Sequence, residues 1–499
     1  MHIGILTDYP TPSFMSGPAI HTRFLTEKLR ERGHEVTLMG PDTTDVVPTD
    51  GDEPTVLFKG FGFPTHPDVK IVLPWPPRHF SSPPRVDLIH GQTAQHLMYY
   101  GAWMRQMYRI PVVATNTVFM PVYSGHVLSD RLHAWKPARD WARGFAETTV
   151  DVSFAKVYND VDTLIVQNRF LVDYWRDKGV TSTIRVVGRP IDPRKFDGPA
   201  GPDPFPAHFV RGKRMLVVCR QDREKALDQI IRVFGTRIAP RDPEFSLTLV
   251  GKGHYQDVLM RMAEESGYAD RIWFPGEVPH QEVADWFRNA DIFPYAAIFE
   301  TFGNVINEAF WCGLPVVALD DRMGVAHQVE HGFNGFLVPP DRPETDETFA
   351  RYCLELGRND AMRRRLGENA RRRARQVSHP DTIVRQFEEI YDEARENCFS
   401  QVPAPLAEAG GARRLHALVT RIGPWAKYNY MLLGLAGVAT RVTGLRGRKA
   451  PVKLDDARTR RPAPAPVSIL RGGTAGVRGE PAERSRAVAR RRRRDPRAL

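Results

Sequence analysis

Residues 298–319, IFETFGNVINEAFWCGLPVVAL, constrain the fold more than any other stretch of the chain. Thr301-Phe302-Gly303 reads as a turn, with Gly303 supplying the backbone freedom that a close approach to a ligand requires. Val305, Ile306, Ala309 and Phe310 recur at helical spacing, which predicts a helix with Asn304 as its N-cap. Gly313 suits the position just past a helix, and Pro315 prevents continuation. Val316-Val317-Ala318-Leu319 is a short apolar run of the kind found in buried parallel strands. Loop, helix, stop and buried strand in this order belong to a layered α/β architecture.

The same layout carries chemistry. A glycine turn at a helix N-terminus presents N–H groups and a partial positive charge, which suits a phosphate. Glu300 precedes the turn and so lies beside whatever that phosphate carries. Glu308 is about one helical turn further on. Carboxylates accept hydrogen bonds from hydroxyls, so sugar rings are apt partners for both, with metal ligation as the rival use.

Around this stretch the chain repeats one pattern. A strand from residue 2 to 7, a Pro/Ser/Gly loop, an amphipathic helix over 19–32 and a strand over 35–39 make a βαβ unit. Further strands are expected at 87–90, 111–115, 163–167 and 184–187, with helices over 97–108, 138–159 and 170–178. Residues 42–68 show little pattern. Asp160-Val161-Asp162 is read as a helix end and not as a metal–nucleotide triplet. A Pro/Gly linker follows over 196–213. A second α/β series then runs through strands at 214–219, 246–250, 272–274, 291–295 and 335–338, and helical segments extend to 398.

Glu300-Thr301-Phe302-Gly303-Asn304-Val305-Ile306-Asn307-Glu308, followed by Cys312-Gly313-Leu314-Pro315, closely resembles the signature of the retaining GT-B glycosyltransferases of family 4. The resemblance covers about residues 1–398 and is more specific in the second half. It implies two Rossmann-like domains with parallel sheets facing a cleft: an acceptor-side domain over 1–192 and a nucleotide-sugar-binding domain over 193–378. A helix over 379–398 would cross back to the first domain. The implied activity is transfer of a sugar from a nucleotide-diphosphate sugar to a hydroxyl with retention at the anomeric carbon, without a metal or other cofactor. It also implies roles by position. Arg220 and Lys225 hold the leaving diphosphate, together with the N–H groups of Gly303, Asn304 and Val305 in the turn that Phe302 shapes. Glu300 binds the transferred sugar, Glu308 the ribose diol, and backbone at Val278 the base. Gly17 faces the phosphates from the first domain, although this sequence has one glycine and then Pro18 where relatives are glycine-rich. Asn116 stands where many relatives carry a histidine. His126 in the following loop is the candidate replacement, with His90 and His96 as others. Nucleotide-sugar epimerases share the fold, and a basic-tailed adaptor with a degenerate site is the non-enzymatic alternative.

The charge balance separates body from tail. From residue 401 onward there are 22 Lys and Arg against 6 Asp and Glu, while residues 1–400 hold 48 against 53. The overall basicity therefore belongs to the tail and gives no argument for nucleic acid as a partner of the body. Residues 451–499, rich in Pro, Ala, Gly and Arg, read as disordered. Arg490–Arg494 is able to meet anionic lipid or nucleic acid by charge alone, and a solvated tail is the equal alternative. The uncharged run at 428–440 within a segment over 399–450 is too short to span a bilayer. Two readings of it stay open: lying in a membrane interface, or packing on the body. Cys219, Cys312, Cys353 and Cys398 have no paired spacing, which predicts free thiols in a reducing compartment. The N-terminus reads as a strand and not a signal peptide, so a cytoplasmic body, on the inner face of a membrane if the tail binds lipid, is the expectation. A lipid or lipid-linked glycan is one candidate acceptor.

Overall fold

In the computed structural model, the described residues are 1–8, 17–42, 55–63, 66–72, 82–92, 97–117, 119, 137, 140, 141, 144, 147, 148, 151–198, 201–209, 212–297, 299–402, 404–417, 419 and 420. They fall in one compact unit, Met1–Leu445.

The first half builds a seven-stranded sheet from β1 (His2–Leu6), β2 (Glu35–Pro41), β3 (Thr55–Phe58), β6 (Leu88–Gly91), β7 (Val112–Thr115), β8 (Thr163–Val166) and β9 (Thr183–Val186). Their spatial order is β3-β2-β1-β6-β7-β8-β9, and every described pairing is parallel. Between β3 and β6 lies an antiparallel pair, β4 (Gly60–Phe63) and β5 (His66–Val72). These strands sit where the sequence shows little alternation, because Gly60, Gly62 and Pro67 interrupt the apolar pattern.

Parallel sheets require helices on both faces. Helix α1 (Gly17–Glu31) covers one face with Leu25 and Leu29, packed against Ile3, Ile5, Val36 and Leu38. It begins at Gly17, two residues before the expected start, so Gly17 is the first helical residue and not a loop residue ahead of it. Helices α2 (Met98–Tyr108), α3 (Asp151–Tyr158) and α4 (Arg169–Asp177) cover the opposite face through Trp103, Phe154, Leu171 and Trp175. The sequence predicts a helix over 138–159, and its described helical core is α3.

The second half has two three-stranded sheets. One orders β10 (Lys213–Val218), β11 (Phe245–Val250) and β12 (Ile272–Gly276); the other orders β13 (Phe293–Tyr295), β14 (Val316–Leu319) and β15 (Gly335–Val338). A parallel bridge between Met215 and Ile292 and a hydrogen bond from Leu216 N to Ile292 O (3.0 Å) join β10 to β13. The six strands thus run in the order 12-11-10-13-14-15, the doubly wound arrangement whose strand order reverses at β10 and β13. Ligands bind such folds outside the carboxyl ends of the strands at that reversal. β10 leads into Arg220, and β13 leads into Glu300.

The segment expected as a linker packs instead of running free. Phe196, Phe205 and Phe209 are buried among Val283, Trp286 and Phe287. Farther on, the helix Asp360–Ser378 lies against the second half through Ala370 and Ala374. The next helix, Pro380–Gln401, packs on the first half: Ile383, Val384, Phe387, Ile390 and Tyr391 share a core with Ile3, Leu88 and Ile165.

Candidate functional site

Helix α5 (Asn304–Cys312) organises the site. Its N-cap is Gly303, at φ +81°, and not Asn304, which is the first helical residue. A left-handed N-cap favours glycine, so the turn claims that position and moves the cap back by one residue. Gly313, also at φ +81°, ends the helix: its N–H donates to Phe310 O and that of Leu314 to Ala309 O, both at 2.9 Å. Phe302 is buried and lies near Gly188, so its side chain packs and only its backbone faces the turn. Asn304, Val305 and Glu308 are half-buried along the helix's first two turns.

Glu300 is held on both sides of its backbone. Its N–H donates to Asp321 Oδ2 (3.1 Å), and its carbonyl accepts from Gly324 N (2.8 Å). Asp321 is buried and also accepts from the N–H groups of Met323, Val325 and Ala326. Burial pushes its carboxyl up from the ordinary range, against the pull of these four donors. A Cβ on Gly324 would stand 2.5 Å from Glu300 O, so the contact needs glycine there. The Glu300 side chain meets two donors at one oxygen: Lys225 Nζ at 2.5 Å and Tyr295 Oη at 2.6 Å. Lys225 and Glu300 are each 14% exposed.

Lys225 owes its position to a strained turn. The next residue, Ala226, has φ +48°, a region that residues with a Cβ seldom occupy. Behind it, Gly251 and Gly253 let the end of β11 close on the chain carrying Arg220. A Cβ at either would lie within 2.3 Å of a carbonyl oxygen, of Cys219 or Gln221 respectively. This Gly-Lys-Gly element therefore supports the cationic loop. Arg220 is on the rim, with its guanidinium 2.9 Å from Asp222 and 3.2 Å from Glu224. Lys225 and Arg220 are thus near each other in the chain but differently engaged, Lys225 on Glu300 and Arg220 on its own loop.

Glu308 lines a separate part of the cleft. A cavity of about 470 Å³ lies between α1, with Phe24 and Glu27, and the second half, with Pro279, His280, Asn304 and Glu308. Val278 is half-buried one residue before this wall. The two halves are tied across the cleft. Asn168 Nδ2 donates to Thr301 O (2.7 Å), Thr301 Oγ1 to Thr117 O (3.2 Å) and Asn307 Nδ2 to Arg189 O (3.2 Å).

The histidine candidates separate. His126 and His96 lie outside the described residues, as do 428–440 and Arg490–Arg494. His90 is in the core, with Tyr391 Oη at 2.7 Å and Thr115 Oγ1 at 2.8 Å, and burial pushes its pKa down to about 3. Asn116 is buried and donates to Tyr158 Oη. Asp162 accepts from Val112 N and Arg105 Nε in the interior, so it ties the chain entering β8 to β7 and α2 instead of capping a helix. Among the described residues no group of three His, Cys, Asp or Glu is arranged to hold a metal ion, and no helix is long and apolar enough to cross a membrane. Tyr295 and Asp321 were not singled out by sequence, and Asn168 only as the residue leading the helix over 170–178. Tyr295 closes β13 and Asp321 lies two residues beyond β14, at the carboxyl ends where site residues of this fold gather, but no spacing marks them.

Two family models match the chain: glycosyl transferases group 1 over residues 205–373, and the glycosyl transferase 4-like domain over 16–190. The chain belongs to the glycosyl transferases group 1 family. The chain is 25% identical to the alpha-monoglucosyldiacylglycerol synthase of Streptococcus pneumoniae over 361 residues, 68% of this chain and 78% of that protein. It is 32% identical to the D-inositol 3-phosphate glycosyltransferase of Thermobispora bispora over 198 residues, 38% of this chain and 45% of the relative. The chain spans less than half the length of seven of the curated relatives it matches. Among solved structures, HepE of Anabaena in complex with UDP superposes with a TM-score of 0.57 at 19% identity, covering 79% of this chain and 100% of that one. At that identity the likeness speaks for the fold, which is GT-B.

Proposed function

We propose that the chain transfers a sugar from a nucleotide-diphosphate sugar to a hydroxyl acceptor, with retention at the anomeric carbon and without a metal ion. The observation that carries this reading is the contact of Lys225 with Glu300. It puts a cation for the leaving diphosphate beside a carboxylate for the sugar, at the N-terminus of α5. In the transfer, the bond from the anomeric carbon to the diphosphate oxygen breaks while the acceptor oxygen approaches the same face. The acceptor's proton passes to the departing phosphate. Lys225, Arg220 and the N–H groups of Gly303–Val305 stabilise the charge that develops there. Glu300 holds the sugar's hydroxyls, Glu308 the ribose diol and backbone at Val278 the base. Gly17, the first residue of α1, faces the phosphates in this reading, and His126 is the candidate for the histidine that serves the reacting sugar.

UDP is the first nucleotide to test, because HepE was solved with it. The diacylglycerol-linked product named for the pneumococcal relative supports a lipid acceptor, and with it a basic tail against an anionic membrane on the cytoplasmic side. The deciding experiment incubates the chain with UDP-, GDP- and ADP-sugars in EDTA, with and without diacylglycerol vesicles. Acceptor-dependent release of one nucleoside diphosphate, with an α-linked product from an α-linked donor, supports the proposal. Turnover without acceptor points to epimerisation, and no turnover of any donor overturns the enzymatic reading.

A further inference from the structure

His280 Nε2 lies 3.5 Å from Glu308 Oε1, on the wall of the 470 Å³ cavity. The imidazole is not a free surface group. Its ring meets the buried Phe196 ring edge-on, at 6.2 Å between centroids and 82° between planes. Its backbone follows the tight turn that Gly276 makes at φ +85°. His280 Nδ1 is enclosed and has no hydrogen-bond partner among the described residues, and the same is true of Asn304 Oδ1 on the same cavity. His280, Asn304 and Glu308 line this cavity together, so the imidazole is fixed beside the carboxylate on a wall that a polar ligand would meet.

We propose that His280 is the positioning residue that sets Glu308 for the ribose of a nucleoside diphosphate. The assignment rests on the nucleotide-sugar reading above. Nε2–H turned to one carboxylate oxygen fixes the plane of the carboxylate, whose remaining lone pairs accept the 2′- and 3′-hydroxyls. With the hydrogen on Nε2, Nδ1 is the ring's acceptor, turned away from the carboxylate. His280 thus lies outside the Glu300–Glu308 motif but acts through its second member.

The test is a cycle between protein and ligand. Binding of UDP, GDP and ADP to the full chain is measured by calorimetry, and the tightest is compared with its 2′,3′-dideoxy form on wild type, His280→Ala and His280→Gln. Wild type is expected to lose about tenfold or more when the diol is removed. His280→Ala is expected to bind the intact nucleotide about tenfold more weakly and to distinguish the two forms by less than about threefold. His280→Gln, whose amide nitrogen reaches the place of Nε2, restores most of that discrimination. In turnover, His280→Ala raises the donor KM and leaves kcat near wild type, a split that general loosening of the fold would not produce. An unchanged diol discrimination in His280→Ala or, if that variant does not fold, a Gln variant without discrimination overturns the role of His280 alone. Failure of wild type to bind any of the three nucleotides overturns this inference and the nucleotide-sugar reading together.

Discussion

At the residue scale, the site turns on one carboxylate oxygen that accepts from both Lys225 and Tyr295. Removing Lys225 takes away a charge that the transition state needs, so Lys225→Ala is expected to lower kcat by about 10²–10³-fold, the scale for a lost oxyanion-type donor. Steady-state kinetics check this, with the melting temperature as control for folding. Tyr295→Phe leaves the charge and removes one hydrogen bond, worth about 1 kcal/mol, or about five- to tenfold in kcat/KM. Asp321→Ala acts on the same carboxylate from behind. It leaves four N–H groups without their acceptor, including that of Glu300, and is expected to lower both stability, by about 2–4 kcal/mol, and turnover. Denaturant unfolding and kinetics on one sample read the two losses. Glu300 and Lys225 were legible in sequence because a motif spaces them. Tyr295 and Asp321 were not: each acts through a fold contact with Glu300, and a tyrosine closing a buried strand looks like any core residue.

At the element scale, legibility followed punctuation. Helix α5 and strand β14 were readable because Gly303, Gly313 and Pro315 bracket them, and α4 because Asn168 caps it, its side chain accepting from Leu171 N at 2.9 Å. The β4–β5 pair was not, since glycine and proline break its alternation. His90 shows what a buried histidine does between elements. It joins β6 to the helix Pro380–Gln401 through Tyr391, and its pKa falls from 6.5 to about 3 in the fold. The unfolded chain therefore binds more protons between these values, so stability is lost as pH falls through 6.5 toward 3. Between pH 7 and pH 5 the expected loss from this residue is about 2 kcal/mol. His21, also buried and lowered, adds in the same direction. Thermal unfolding across that range checks the slope, and His90→Gln is expected to flatten it.

At the scale of the whole molecule, the reacting loop is tied to both halves. Thr301 accepts from Asn168 through its carbonyl and donates to Thr117 O through its hydroxyl, so the residue beside Glu300 is anchored twice to the first half across the cleft. Asn168→Ala removes one tie and the cap of α4 together. It is expected to raise the donor KM by several-fold, and Asn168→Asp, which keeps the cap but cannot donate, separates the two effects in kinetics and melting curves. The two-domain plan was legible from repeated strand–helix units and the signature. The packing of Phe196, Phe205 and Phe209 was not, because proline and glycine around them read as linker.

The helix Pro380–Gln401 completes a core whose other members include Ile3 and Ile5, at the opposite end of the chain. During synthesis the amino-terminal half therefore emerges first but finishes last. Its sheet waits, with one face covered only in part by α1, until some 400 residues have left the ribosome, by which time the second half has all its own strands. Folding order is inverted relative to translation order, and the waiting apolar face is the nascent chain's principal claim on a chaperone.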